Sequence, residues 1–101
     1  MSDDAKDAQL AAAGAPDAPS VLDTLGVILL QNDKATEARD TLQKAATAAP
    51  QIQPIQFHLA QALAQTGEKD RARSILRTLA STNEPFDERD QAQKLLNELG
   101  G

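Results

Sequence analysis

Residues 22–50 repeat themselves 34 positions later. Leu25 falls on Leu59, Gly26 on Ala60, Leu29 on Leu63, Ala38 on Ala72, Leu42 on Leu76 and Ala45 on Leu79. Small positions stay small and apolar positions stay apolar. A fixed period of this length marks a repeat architecture, in which each unit is one supersecondary element that buries its apolar face against its neighbours. Ala, Leu, Gln, Lys, Arg and Glu fill the repeated stretch, and these are strong helix formers. Val and Ile are few, and the aromatic residues are two Phe with no Trp or Tyr, which disfavours a sheet. The expected fold is all-α: an antiparallel helix-pair solenoid of two units followed by a C-terminal capping helix. The expected bounds are 19–52 for the first unit, 53–86 for the second and 87–101 for the cap.

The local signals agree with that division. Ser20 is a candidate N-cap, with Asp23 adding negative charge near the helix start. Leu22, Leu25, Ile28 and Leu29 follow at helical spacing, and Asn32–Asp33 make a turn. A second helix is predicted over 34–48, with Ala35, Ala38, Leu42, Ala45 and Ala46 inward and Pro50 as its stop. In the second unit Pro54 suits a helix start and Gly67 a left-handed helix stop. Ile55, Leu59, Ala62 and Leu63 face inward from one helix; Ala72, Ile75, Leu76 and Leu79 do so from the next. A loop containing Pro85 follows. The last helix, 87–99, has a narrow stripe of Ala92, Leu95, Leu96 and Leu99 on an otherwise polar surface, with Asp87 as cap and Gly100 as stop. An array needs such a polar-backed helix at its end. Residues 1–18 read either as a flexible leader or as the remnant of a preceding repeat, since Pro16, Ala12 and Ala11 lie 34 positions before Pro50, Ala46 and Ala45.

These residues resemble the tetratricopeptide repeat. Its pattern runs through Leu22, Leu25-Gly26, Leu29, Ala38, Leu42, Ala45 and Pro50, and again through Gln56, Leu59-Ala60, Leu63, Ala72, Leu76 and Leu79. Leu22 and Gln56 stand in place of the usual Trp, Leu29 and Leu63 in place of the Tyr, Ala60 in place of the second Gly, and Glu84 in place of the closing Pro. Gly26, Ala60, Ala38 and Ala72 let paired helices approach to the ~8–10 Å of packed helices. The stretch from 85 to 99, taken with the two units, is also similar to the C-terminal end of long bacterial repeat proteins of exopolysaccharide production and envelope sorting. The resemblance implies a binding scaffold without a cofactor.

Composition excludes other classes. The net charge of −5 repels phosphate backbones, so nucleic acid is not an expected partner. The absence of cysteine removes disulfides, thiolate metal sites and thiol nucleophiles. No apolar run approaches the ~20 residues of a membrane span, so no membrane insertion is expected. Residues 1–10, MSDDAKDAQL, lack a basic-then-apolar signal pattern. A bacterial cytoplasm or periplasm would suit such a chain equally.

In the resembling family the first helices of each unit line the concave face. The corresponding groove candidates are Asp23, Thr24, Val27, Leu30 and Gln31 in the first unit, and Phe57, His58, Gln61, Ala64 and Gln65 in the second. Phe57 either joins Val27 and Leu30 in an exposed apolar strip, which would mark a protein or peptide partner, or packs against a neighbouring helix. One subclass of the family grips a carboxylate with Lys, Asn and Arg. The corresponding residues here are Asp23, Val27, His58, Glu88 and Ala92, and none supplies a cation. His58 is the single histidine, so metal binding and general-base chemistry lack partners; a surface hydrogen bond is the expectation. Lys69, Arg71, Arg73 and Arg77 read as a solvated face with local ion pairs. The expected function is protein–protein interaction through the groove. The alternative is a structural end-cap of a longer array that acts in self-assembly, including homo-oligomerisation. No enzyme motif is present.

Overall fold

The computed structural model describes residues 18–82 and 87–100, so the expectations for residues 1–17 and for the Pro85 loop fall outside it. Among the described residues there are five helices: α1 (Pro19–Gln31), α2 (Ala35–Ala48), α3 (Gln53–Gln65), α4 (Lys69–Ser81) and α5 (Arg89–Glu98). Each helix packs on its successor, and α1 also meets α3. The fold is an all-α helical repeat.

The helix ends follow the 34-residue period in atomic detail. After α1, Asp33 takes a left-handed φ of 60°; after α3, Gly67 takes 89°. At both ends the same pair of bonds closes the helix. Lys34 N–H donates to the Leu29 carbonyl (2.9 Å) and Asp33 N–H to Leu30 (3.2 Å). Thirty-four residues on, Glu68 N–H donates to Leu63 (2.8 Å) and Gly67 N–H to Ala64 (3.2 Å). These are Schellman closures, which satisfy carbonyls that the helix leaves open. The first uses an Asp where the second has a Gly.

The starts differ from expectation. Pro19 is the first residue of α1 and Ala18 its cap, so Ser20 lies inside the helix and its carbonyl accepts from Thr24 Oγ1 (3.0 Å). Proline at a helix start costs no hydrogen bond, and its fixed φ already suits the helix. Glu88, not Asp87, is the residue before α5, and its side chain makes no capping bond. Lys34 and Glu68 likewise flank α2 and α4 rather than belonging to them.

The core has two parts. Leu22, Leu25 and Leu29 from α1, Ala38, Leu42, Ala45 and Ala46 from α2, and Ile55, Leu59, Ala62 and Leu63 from α3 form the larger part, with Ala72. Phe57 and Ala60 from α3, Leu76 and Leu79 from α4, and Ala92 and Leu96 from α5 form the smaller. Helix α3 is therefore buried on two sides and belongs to both. No polar or charged side chain is buried among the described residues. The small residues allow the close approach: a Cβ placed on Gly26 would lie 2.4 Å from Leu42 Cγ.

On the outer side, polar bonds tie α2 to the turn before α4. Arg39 Nη1 donates to Glu68 Oε2 (3.0 Å), and Thr66 Oγ1 donates to the same oxygen (3.1 Å). The Arg39 bond, aided by Thr66 and opposed by partial desolvation, holds the Glu68 carboxyl below its ordinary range. The Arg39 guanidinium is held above its own, chiefly by Glu68 and then by Asp40. Arg71 Nη2 donates to Gln43 Oε1 (2.7 Å). Arg73 pairs with Asp70 and also donates to the Leu99 carbonyl (2.8 Å) at the end of α5. Part of the basic face on α4 is thus tied to neighbouring helices, while Lys69 and Arg77 are exposed.

Candidate groove between the first, third and fifth helices

Helices α1, α3 and α5 border a concave surface with two adjoining hollows. One, of about 320 Å³, is lined by Val27, Leu30 and Gln31 of α1, Phe57, His58, Gln61 and Gln65 of α3, and Glu88 and Gln91 at the start of α5. The other, of about 510 Å³, shares Phe57, Gln61, Gln65 and Gln91 and continues along Ala64, Lys94, Leu95 and Glu98. Together they make one furrow that runs over α3. A third hollow, of about 330 Å³, lies elsewhere between α3 and α4, beside Pro50 and Thr82.

Eight of the ten groove candidates read from the sequence line the furrow directly, and Phe57 is its floor. Val27 and Leu30 are half-buried walls. Phe57 is only 2% exposed, so of its two readings it takes the one in which it packs against a neighbouring helix, and the exposed strip with Val27 and Leu30 does not form. Its ring fills the space between α3, α4 and α5, where Ala92 and Leu96 cover it. Thr24 is exposed, bonded back to Ser20, and does not line either hollow. Asp23 lies at the margin, engaged with His58.

That engagement joins α1 to α3. His58 Nδ1 lies 2.7 Å from Asp23 Oδ1, and both side chains are about one-fifth exposed. A carboxylate oxygen accepts, so the ring presents its Nδ1–H to Asp23 and leaves Nε2 for another partner. The same junction recurs 34 residues on with different chemistry: Phe57 stands at the position of Asp23, and Ala92 at that of His58. There it is apolar and closed. The Phe57 and His58 rings lie 5.8 Å apart, tilted at 45°.

The furrow is rich in amides. Among the described residues, the side chains of Gln31, Gln61, Gln65 and Gln91 have no hydrogen-bond partner. By contrast Gln43, Gln53, Gln56 and Gln93 are each bonded to a neighbour. Glu88 Oε2 is shielded from solvent and has no hydrogen-bond partner, and among the described residues the carboxylate has no ion pair. A shielded polar atom without a bond costs ~1–3 kcal/mol, which is relieved when a donor arrives.

The contribution of α5 was not among the sequence candidates beyond Glu88 and Ala92. Ala92 is a core residue, 1% exposed, and does not reach the furrow. Gln91, Lys94, Leu95 and Glu98 do reach it. The signal was present in the period: 34 residues beyond Phe57 and Gln61 stand Gln91 and Leu95, so α5 continues the row set by α1 and α3. Among the described residues no helix is long and apolar enough to cross a membrane, and no group of three or more His, Cys, Asp or Glu is placed to hold a metal ion.

Comparison with known families matches residues 29–99, well over half of the chain, to the model described as tetratricopeptide repeat. No curated protein and no solved structure matches the chain.

Proposed function

The chain belongs to the tetratricopeptide repeat family, and from that premise we propose that it holds an extended peptide or a helix of a partner protein in the furrow bordered by α1, α3 and α5. Members of this family generally mediate protein–protein interaction as non-enzymatic scaffolds. The repeat units in this reading span 19–52 and 53–86, with 87–101 as the closing helix. The observation that carries the proposal is the cluster of four unbonded glutamine amides along the furrow, beside the apolar wall that Val27 and Leu30 of α1 make. A carboxamide offers both a donor and an acceptor, and so complements the N–H and C=O of a peptide backbone whatever its sequence. The apolar walls supply the desolvated contacts from which such grooves draw affinity.

The test is selection from a random library of capped 12-residue peptides on the immobilised chain. Gln61→Trp, which fills the furrow, serves as the control, and circular dichroism verifies that it folds. Peptides retained by the wild type and lost by Gln61→Trp support the reading. An equal yield from both proteins contradicts it.

A second reading has its own support. Helix α5 covers Phe57 and Leu76 with Ala92 and Leu96, and turns Asp90, Gln93, Lys94, Asn97 and Glu98 outward. A helix apolar on one stripe and charged elsewhere suits the end of an array, and self-assembly would then be the task. Sedimentation equilibrium separates the two. A concentration-dependent dimer that leaves no furrow for peptide favours self-assembly; a monomer that binds peptide favours the first reading.

A further inference from the structure

We infer that the peptide taken by this furrow carries a lysine or arginine side chain, with Glu88 as its counter-ion. This rests on the peptide-groove reading above and names the chemistry of the partner. The charge layout carries it. Helix α3 has no Asp, Glu, Lys or Arg, and the only such residue in α1 is Asp23. The furrow's remaining charges come from α5: Glu88, Lys94 and Glu98. The helix cations Lys69, Arg71, Arg73 and Arg77 stand on α4 and Arg39 and Lys44 on α2, neither of which lines the furrow's hollows, and Arg89 at the start of α5 lines neither hollow and donates to the Ala80 carbonyl. The furrow is therefore acidic on balance, and an acidic peptide or a terminal carboxylate meets like charge there.

Among the acidic groups, Glu88 is the one with a carboxylate oxygen shielded from water and left without a donor. Asp23 is bonded to His58, and Glu98 is exposed and hydrated, on the same helix as Lys94. Glu88 pairs with no cation among the described residues, and one of its oxygens is shielded without a donor. A guanidinium or ammonium brings several N–H donors to such a carboxylate, and charge-assisted bonds of this kind are roughly twice as strong as neutral ones. Gln31, Gln61 and Gln91 lie in the same hollow as Glu88. One peptide therefore places its backbone against the amides and a basic side chain against the carboxylate.

The experiment is the same library selection, performed in about 0.15 M salt, where charges beyond ~8 Å are screened. The wild type is compared with Glu88→Gln and with Glu37→Gln, which removes the same charge from an exposed site on α2. The inference predicts a bound pool enriched in Lys and Arg over the input, an enrichment lost in Glu88→Gln and kept in Glu37→Gln. For one selected peptide, Glu88→Gln should weaken binding about tenfold, the effect of removing a charged hydrogen-bond partner. A pool retained in the furrow without a basic bias, or an equal response to the two variants, overturns the inference and leaves the groove reading standing. A library from which nothing is retained, or retention indifferent to Gln61→Trp, overturns both.

Discussion

Gly26→Ala should destabilise this protein, although alanine is the better helix former. The two effects oppose each other, and the structure decides between them. Replacing an interior helical glycine by alanine gains about 0.5–1 kcal/mol from backbone entropy and propensity. Against this, the new Cβ would lie 2.4 Å from Leu42 Cγ and 2.5 Å from Cδ2. Carbon atoms sit best at ~3.5–4.0 Å, so more than an ångström of movement is required. Leu42 is 0% exposed and its nearest atom is a branch point, so relief requires the whole side chain to shift within the core. Overpacking of this kind costs ~1–3 kcal/mol. The net loss is about 1–2 kcal/mol, which lowers the melting temperature of a domain this size by roughly 5–15 °C. With no Trp or Tyr in the chain, urea and thermal unfolding are followed by far-ultraviolet circular dichroism. A double-mutant cycle sharpens the test. Leu42→Ala alone should cost ~2–5 kcal/mol through its cavity. Adding Gly26→Ala to it should cost nothing further, or restore part of the loss, because the methyl then occupies vacated space. A neutral or stabilised Gly26→Ala, or strict additivity with Leu42→Ala, would refute the claim that close approach of α1 to α2 requires glycine there.

Three further outcomes are expected. Asp33→Gly should stabilise the protein by about 0.5–1 kcal/mol by relieving a left-handed residue, and Gly67→Ala should cost about as much, since no atom lies within 4 Å of its would-be Cβ and only the backbone is strained; matched urea midpoints check both. Stability should fall as pH drops below the ordinary glutamate range. The folded-state pKa of Glu68 is depressed, so the unfolded chain takes up the proton first and the stabilisation present at neutral pH is lost through that window; Glu68→Gln should flatten this part of the profile in acid titrations and leave the rest unchanged. Phe57→Ala should cost ~3–5 kcal/mol, because the ring is buried core beneath the furrow, and hydrogen exchange should show α5 losing protection before α1 and α2.

The period made most of this fold legible. Helix pairs, the small contact positions and both Schellman turns follow from copying residues 22–50 onward by 34. What the period did not reveal comes from asymmetry between the copies. Phe57, the one large aromatic on the groove line, fitted groove and core equally well. A single helix pattern treats one face as core, yet α3 lies between two neighbours and buries Phe57 on the second side, under Ala92 and Leu96. The His58–Asp23 bond escaped for the same reason: each residue alone reads as a surface polar group, and only the packing of α1 on α3 joins them. Ser20 lost the cap to Ala18 because Pro19 fixes the start of α1 two residues earlier than a Ser20 cap would. Helix α5 read only as an end, so its polar face, which borders the furrow, went uncounted.

The central claim is that the furrow over α3 receives the partner's backbone on its glutamine amides. It is tested most directly by following the side-chain NH₂ resonances of the isotopically labelled chain while a selected peptide is titrated in. The account predicts saturable shifts at Gln31, Gln61, Gln65 and Gln91, with little change at Gln43 and Gln93, which are already bonded within the fold. Saturable binding that moves Gln43, Gln53 or Gln56, and leaves the four furrow amides unmoved, would contradict it.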